Sequence, residues 1–156
     1  VVNADAIYGT TSTEAKADFL RDLGVDHVID YTATEFDARV WELTDGAGVD
    51  MVYDNVGGDT WVPAMRSLRN GGRLVVSGST TDPNPATEIR LLFVRQIDVR
   101  GSTAHSRAEF RRALSYVWDG TVEPVVQATF ELSEYEAAFR TMADRDAYGK
   151  LVLTMD

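Results

Sequence analysis

The sequence contains no cysteine, and only two of its 15 basic residues are lysines, Lys16 and Lys150. The absence of cysteine excludes disulfides and Cys-ligated zinc within this segment, and it fits a reducing compartment. No apolar run approaches the length of a membrane span, and no basic-then-apolar leader opens the chain. We therefore expect a soluble, cytoplasmic protein that does not bind membranes.

Basic residues are also few: the sequence has 15 of them and 25 acidic residues, which gives a net charge of -10. Such a balance excludes nucleic acid as a favoured partner, because phosphate backbones require positive protein surfaces. Many aspartates with few lysines are typical of proteins from salt-loving organisms, and a moderately acidic ordinary enzyme is the alternative. A hydrophobic content of 44% is enough for a packed core.

Apolar, β-branched segments alternate with amphipathic segments over the first two thirds of the chain. The predicted strands are 5–10, 27–31, 49–54, 73–77 and 97–101. The predicted helices between them are 13–23, 35–43, 59–68 (ended by Asn70-Gly71-Gly72) and 87–94. Strands that alternate with helices on short connections predict an α/β fold with a parallel, doubly wound sheet covered on both faces.

The last third has a different pattern, in which longer helices and short strands follow one another less regularly. The glutamate three residues after Ser133 predicts a capping box at the start of a helix there. The predicted elements of this part are a helix at 107–118, an extended segment at 125–130, a helix at 133–142 and a strand at 148–154.

One motif that a dinucleotide site needs is missing, namely a GxGxxG turn between a strand and a helix N-terminus. Gly57-Gly58 and Gly71-Gly72 do not have this spacing. Two explanations stay open. The chain is part of a longer protein whose first strand, glycine loop and helix precede Val1, or it is a different α/β fold that never had the loop. We favour the first.

Several stretches in this order and spacing resemble the medium-chain dehydrogenase/reductase superfamily. They are TTSTEAKADFLRDLGVDHVIDY, DGAGVDMVYDNVGGDTW, LRNGGRLVVSG and YGKLVL. Within the superfamily they are most similar to the quinone oxidoreductase, enone reductase and zinc-binding dehydrogenase branches. The resemblance implies a Rossmann-like sheet without its first strand-GxGxxG-helix unit. Residues 1–118 would then be a partial cofactor-binding domain, and 119–156 a segment that returns toward a catalytic domain.

The end of the first strand decides between the two nicotinamide cofactors, because NAD-binding enzymes place a carboxylate there against the ribose 2′-OH. This chain has Thr11 and Ser12 instead, with Lys16 one helical turn beyond. Small hydroxyls and a cation suit a 2′-phosphate. Relatives that prefer NADP use such residues, so the resemblance implies NADP, with NAD possible. The alternative is that Ser12 only caps the helix and Lys16 is solvated.

The resemblance implies further cofactor contacts at the other strand ends. Tyr31 would lie by the adenosine phosphate, or alternatively pack on a helix. Asn55, in the DNVGG motif, would reach into the crevice, and we interpret Asp54 as a cap for that turn. The remaining contacts are Gly78, Ser79 and Thr80 near the nicotinamide ribose, and Gly101, Ser102 and Thr103 at the nicotinamide. Ala147 stands where relatives often carry a cofactor-contacting Asn, so the resemblance does not extend to that contact.

No catalytic set of side chains stands out. His27 and His105 have no metal-ligand spacing, and we expect His27 to be structural. In such enzymes the cofactor carries the chemistry and the protein positions it. Any catalytic zinc ligands would lie outside this segment.

The resemblance implies an oxidoreductase that transfers a hydride between NADP(H) and a small-molecule quinone, enone or carbonyl, or an alcohol in reverse. We expect the chain alone to be inactive, and the whole protein to dimerise through the strand at 97–101. The alternatives are the zinc-dependent alcohol dehydrogenase branch and a non-catalytic α/β binding or regulatory module.

The acidic surface leads to a test of salt adaptation. If the protein is adapted to high salt, its melting temperature rises with molar KCl, because the salt screens repulsion among its carboxylates. The measurement is thermal unfolding across a KCl series, with sucrose at matched osmolality as the control. A melting temperature that stays flat or falls with KCl excludes salt adaptation.

Overall fold

The computed structural model describes residues 3–155. This part of the chain divides into two compact units, one that runs to Ala104 and one that starts at His105. The predicted boundary at residue 118 concerns the domains of the whole protein, whereas the compact units reflect packing within this chain alone. The division into 1–118 and 119–156 therefore stays a prediction.

The first unit alternates strands and helices, as the sequence pattern predicts. Its strands pair in parallel, in one sheet of order β1-β2 and another of order β3-β4-β5. This arrangement confirms the predicted α/β, Rossmann-like class. In chain order the elements are β1 (Tyr8–Thr11), α1 (Glu14–Asp22), β2 (His27–Asp30), α2 (Phe36–Leu43), β3 (Val49–Asp54), α3 (Gly58–Ser67), β4 (Leu68–Val76), α4 (Ile89–Arg95) and β5 (Asp98–Gly101).

Strand β4 begins five residues earlier than predicted, at Leu68 instead of Arg73. The prediction that Asn70-Gly71-Gly72 ends the preceding helix is wrong, since α3 already ends at Ser67. The glycines lie in an irregular part of the strand, where the register with β3 shifts between Val49 and Met51. Gly71 has a φ of 71°, which is the left-handed backbone that glycine adopts easily.

The core of this unit lies between α3 and one face of the β3-β4-β5 sheet. Met65, Leu68 and Leu74 are fully buried, and Ala64 is 1% exposed. Val52 lies opposite Leu74 in the register, so both side chains share this face. The packing fixes the strands against the helix and holds their carboxyl ends in one row.

Trp41 joins the helix that follows β2 to the helix that follows β3. Its Nε1 donates a 2.7 Å hydrogen bond to the carbonyl of Arg66 at the end of α3. The guanidinium of Arg95 lies 5.1 Å from the centre of the Trp41 ring and donates to the same carbonyl. A cation over an aromatic face is attracted to it. This contact ties α2, α3 and α4 together.

The second unit contains β6 (Val126–Glu131) and β7 (Lys150–Thr154), which pair in parallel, and three helical segments. The helical segments are α5 (Arg107–Trp118), a 3-10 turn (Leu132–Glu134) and α6 (Tyr135–Ala143). No helix among residues 3–155 is both long and apolar enough to cross a membrane.

The predicted capping box at Ser133 is wrong. Helix α6 begins at Tyr135, after the 3-10 turn, and its N-cap position is Glu134, without a side-chain cap. The capping box belongs to the 3-10 turn, where the Glu134 carboxylate accepts a 3.1 Å hydrogen bond from the amide of Glu131. The box therefore lies two residues earlier in the chain than predicted, with Glu131 rather than Ser133 at its N-cap position.

Candidate functional site

The ends of β1 and β2 meet at Thr11 and Tyr31. The amide of Tyr31 donates a 3.0 Å hydrogen bond to the carbonyl of Thr11. Thr11 is buried, while Tyr31 is 49% exposed. Asp30, the residue before Tyr31, accepts hydrogen bonds from the hydroxyl and the amide of Thr32, and these bonds lower its pKa. Asp30 therefore holds the turn after β2 as a carboxylate.

Helix α1 starts beside this edge, and its cap is Thr13. The Thr13 hydroxyl accepts a 3.3 Å hydrogen bond from the amide of Lys16. Ser12 is thus not the N-cap, which removes one part of the alternative stated for it. Arg21 lies 2.8 Å from the carboxylate of Glu14. Arg21 also lies 2.6 Å from the carboxylate of Asp18, so its one positive charge is shared between two carboxylates on the helix that carries Lys16 and offsets Glu14 only in part.

Strand β3 ends in a turn whose residues donate hydrogen bonds to the side chain of Asp54. Asp54 is 4% exposed. Its Oδ1 accepts hydrogen bonds from the amides of Val56 (2.8 Å) and Gly57 (3.2 Å) and from the hydroxyl of Thr60 (2.8 Å). The sequence prediction that Asp54 caps this turn is confirmed. The turn leaves the next residue, Asn55, exposed at the strand end.

The loop after β4 lies directly against this turn. The amide of Ser77 donates to the carbonyl of Asp54 (2.9 Å), and the hydroxyl of Thr80 donates to the carbonyl of Asn55 (3.1 Å). A Cβ on Gly78 would come within 2.6 Å of the Asn55 carbonyl oxygen. Glycine at this position therefore allows the two loops to pack backbone against backbone.

The N-terminus of α3 is closed by the same loop. The amide of Gly58 donates to the carbonyl of Asp82 (3.1 Å), and the amide of Asp59 donates to the hydroxyl of Thr81 (3.1 Å). A helix N-terminus binds phosphate through such amides. Since these two donors are already used, the Gly57-Gly58 pair does not replace the missing GxGxxG loop.

The carboxyl end of strand β5 lies beside those of β3 and β4. The amide of Ser102 donates a 2.7 Å hydrogen bond to the carbonyl of Val76. A Cβ on Gly101 would meet nothing within 4 Å, in contrast to Gly78. Both Ser102 and Thr103 are exposed. The ends of three neighbouring strands thus present small polar groups along one edge.

The structure gathers the predicted site residues into two groups within the first unit. One group follows β1 and β2 and consists of Thr11, Ser12, Lys16 and Tyr31. The other follows β3, β4 and β5 and consists of Asn55, Gly78, Ser79, Thr80, Gly101, Ser102 and Thr103. Their roles as cofactor contacts stay predictions. Sequence reasoning missed Thr60, Thr81 and Asp82, whose partners lie in another loop or in an earlier turn.

The two histidines both stack on aromatic rings. His27 lies 4.8 Å from the ring of Tyr8, as expected for a structural residue, and His105 lies 5.1 Å from the ring of Phe110. Among residues 3–155 no group of three His, Asp or Glu side chains is arranged to hold a metal ion. The prediction that any zinc ligands lie outside this segment remains untested.

Comparison with known proteins agrees with this geometry. Residues 1–119 match the zinc-binding dehydrogenase family. The chain is 34% identical to a 2-haloacrylate reductase of Burkholderia sp, and the match covers 94% of this chain and 47% of that protein. It is 37% identical to a "probable quinone oxidoreductase" of Leishmania amazonensis, and the match covers 61% of this chain and 31% of that protein.

A solved structure of an NAD-dependent alcohol dehydrogenase is 28% identical and superposes with a TM-score of 0.88, covering 97% of this chain and 44% of that one. The parallel strands with their flanking helices, together with these likenesses, define an α/β domain of the kind found in zinc-binding dehydrogenases. The chain belongs to the zinc-binding dehydrogenase family, which confirms the predicted medium-chain dehydrogenase/reductase membership. It spans about half or less of the length of these curated relatives.

The packing of the two loops can be tested at Gly78. In the full-length protein, Gly78→Ala should lower the free energy of unfolding by about 1–3 kcal/mol, because the added methyl collides with a backbone carbonyl. The matched control is Gly101→Ala, where the methyl meets open space, and this change should stay within about 1 kcal/mol of the wild type. Chemical denaturation measures both, and equal losses would contradict the loop packing.

Proposed function

We propose that the enzyme to which this chain belongs transfers a hydride between NADP(H) and a quinone, enone or carbonyl substrate, with alcohol oxidation as the reverse reaction. One observation carries the proposal. The first strand ends in hydroxyls followed by Lys16, with no carboxylate between the strand end and Glu14, and Arg21 is shared by Glu14 and Asp18. The names of the reductase and quinone oxidoreductase relatives support the substrate class.

The adenosine end of NADP fits the edge at β1 and β2. A 2′-phosphate needs hydrogen-bond donors and positive charge. Ser12 and Lys16 are both half-buried at the start of α1, and Thr13, rather than Ser12, caps that helix. Tyr31 lies beside Thr11 and offers a half-exposed ring for the adenosine side. These residues would hold the adenosine ribose and its phosphate.

The nicotinamide end fits the edge at β3, β4 and β5. When bound, the cofactor supplies the hydride. Asn55, Thr80 and Ser102 would bind and orient its ribose and carboxamide through exposed polar groups on three neighbouring strand ends. The pyrophosphate needs amide donors that the closed N-terminus of α3 does not offer. We therefore expect turnover only from the full-length enzyme, in which other residues hold the pyrophosphate.

The second candidate is a zinc-dependent alcohol dehydrogenase, and the likeness to a solved alcohol dehydrogenase supports it. The sequence that precedes this chain separates the two, since the zinc branch would carry Cys and His ligands there. A non-catalytic module is the third possibility, and it would bind neither nicotinamide cofactor. A cytoplasmic location stays part of the proposal for all three.

The NADP preference is tested by titrating the full-length protein with NADPH and with NADH, followed by cofactor fluorescence. We expect NADPH to bind more tightly. Lys16→Met should weaken NADPH by about tenfold and leave NADH unchanged, because it removes a charge that meets only the 2′-phosphate. Ser12→Ala should act in the same direction and more weakly.

Arg39→Met is the control, because it also removes a cation, one that lies on α2 and pairs with Glu42. It should change neither affinity. Tighter binding of NADH than of NADPH by the wild-type protein would overturn the assignment to NADP. Failure to bind either cofactor would favour the non-catalytic module.

We also propose a homodimer through the strand predicted at 97–101. Among the described strands, β5 pairs only with β4, so its outer edge has no partner in this chain. On this strand, the Oδ2 of Asp98 lies 2.8 Å from the Nε of Arg73 and 3.0 Å from the Nε of Arg100. The hydrogen bonds from these two groups lower the pKa of Asp98. An open strand edge pairs readily with a second copy of itself.

Light scattering on the full-length protein tests this assembly across a range of concentrations. We expect the mass of a dimer at high protein concentration. A monomeric mass at the highest concentration reached would contradict the dimer.

A further inference from the structure

Asp54 is a buried carboxylate at the end of β3, next to the exposed predicted cofactor contact Asn55. It is 4% exposed, and its Oδ1 receives all three of its side-chain hydrogen bonds, from Val56, Gly57 and Thr60. Its Oδ2 is buried without a partner among the described residues. Burying a carboxylate costs free energy, which hydrogen bonds to the carboxylate offset. The bonds of Asp54 fix the turn between β3 and α3.

This turn determines where the loop after β4 lies. The carbonyls of three consecutive residues, Asp54, Asn55 and Val56, accept hydrogen bonds from that loop. The donors are the amide of Ser77 (2.9 Å), the hydroxyl of Thr80 (3.1 Å) and the amide of Thr81 (3.2 Å). If the turn shifts, Asn55 and the loop at 78–80 must shift with it.

We propose that Asp54 is a positioning residue for the nicotinamide end of the cofactor. It holds Asn55 and the loop at 78–80 in the geometry that binds the nicotinamide ribose, and it acts through them without touching the cofactor. Thr60 is its partner, because the Thr60 hydroxyl completes the set of donors around Oδ1. The inference rests on the proposed function, since it assumes that these strand ends bind NADPH.

The adenosine end provides the reference for a test. Thr11, Ser12 and Lys16 belong to the β1-β2 edge, which pairs separately from the β3-β4-β5 sheet. Loss of Asp54 should therefore weaken binding of the nicotinamide end of the cofactor and leave binding of the adenosine end unchanged. A general loss of folding would weaken binding of both ends equally. Comparing the binding of the two ends therefore distinguishes a positioning role from an effect on overall stability.

The experiment titrates the full-length protein with NADPH and with 2′,5′-ADP, which carries the 2′-phosphate and no nicotinamide. Asp54→Ala should raise the Kd for NADPH by about tenfold. The Kd for 2′,5′-ADP should change by less than about twofold. Asp54→Asn retains an oxygen acceptor for the three donors, so its Kd for NADPH should stay within about threefold of the wild type.

The matched control is Asp119→Ala, which removes a carboxylate that accepts from the amide of Thr121 in a similar turn of the second unit. It should change neither Kd. If Asp54→Ala does not fold, Thr60→Val and Thr60→Ser decide, because valine removes the hydroxyl at almost constant volume and serine restores it. Thr60→Val should weaken NADPH alone, and Thr60→Ser should bind it as the wild type does.

The proposal is overturned if Asp54→Ala binds NADPH normally, if it weakens NADPH and 2′,5′-ADP by the same factor, or if Thr60→Val and Thr60→Ser behave alike. Failure of the proposed function is distinguishable from all of these results. In that case the wild-type protein itself binds neither NADPH nor 2′,5′-ADP.

Discussion

The hydrogen bonds around Asp54 are the constraint on which the candidate crevice depends. One buried carboxylate oxygen gathers two backbone amides and a hydroxyl from the turn after β3. The turn then offers its own carbonyls to the loop after β4, and that loop closes the N-terminus of α3 through Thr81 and Asp82. A small shift at Asp54 would propagate to every one of these bonds, because each uses backbone that the previous bond has fixed.

The candidate site has two halves that are organised in different ways. At β1 and β2 the amide of Tyr31 bonds to the carbonyl of Thr11 just beyond the paired strands, and the helix that follows is capped locally by Thr13. At β3, β4 and β5 the ends are interlocked by several bonds and by the absence of a Cβ on Gly78. Trp41 connects the helices behind the two halves. The half at β3, β4 and β5 is the one proposed to hold the reactive end of the cofactor.

The alternation of strands and helices could be predicted because it depends on local periodicity. The strand at 49–54 and the helix at 107–118 have the predicted bounds. The early start of β4 could not be predicted, since Asn70-Gly71-Gly72 is also a typical helix end, and only pairing with β3 shows the irregular register. The predicted cap at Ser133 is wrong because Leu132–Glu134 form a 3-10 turn, so that α6 begins only at Tyr135.

Much of the site could also be predicted from the sequence, because the resemblance and the rule for parallel strand ends both point to the same edge. The network around Asp54 was only partly visible. Its capping role follows from the DNVGG motif, but its partner Thr60 lies six residues later, and Thr81 and Asp82 lie in a separate loop. Such partners are defined by the folded chain, and no local pattern marks them.

The most direct test of the account is amide hydrogen exchange of the full-length protein with and without NADPH. The central claim is that the strand ends of both halves form one cofactor site. It predicts slower exchange on NADPH binding at 10–16, 54–58, 77–82 and 101–103. Unchanged exchange at all four segments, with protection confined to α4 or to the second unit, would contradict it.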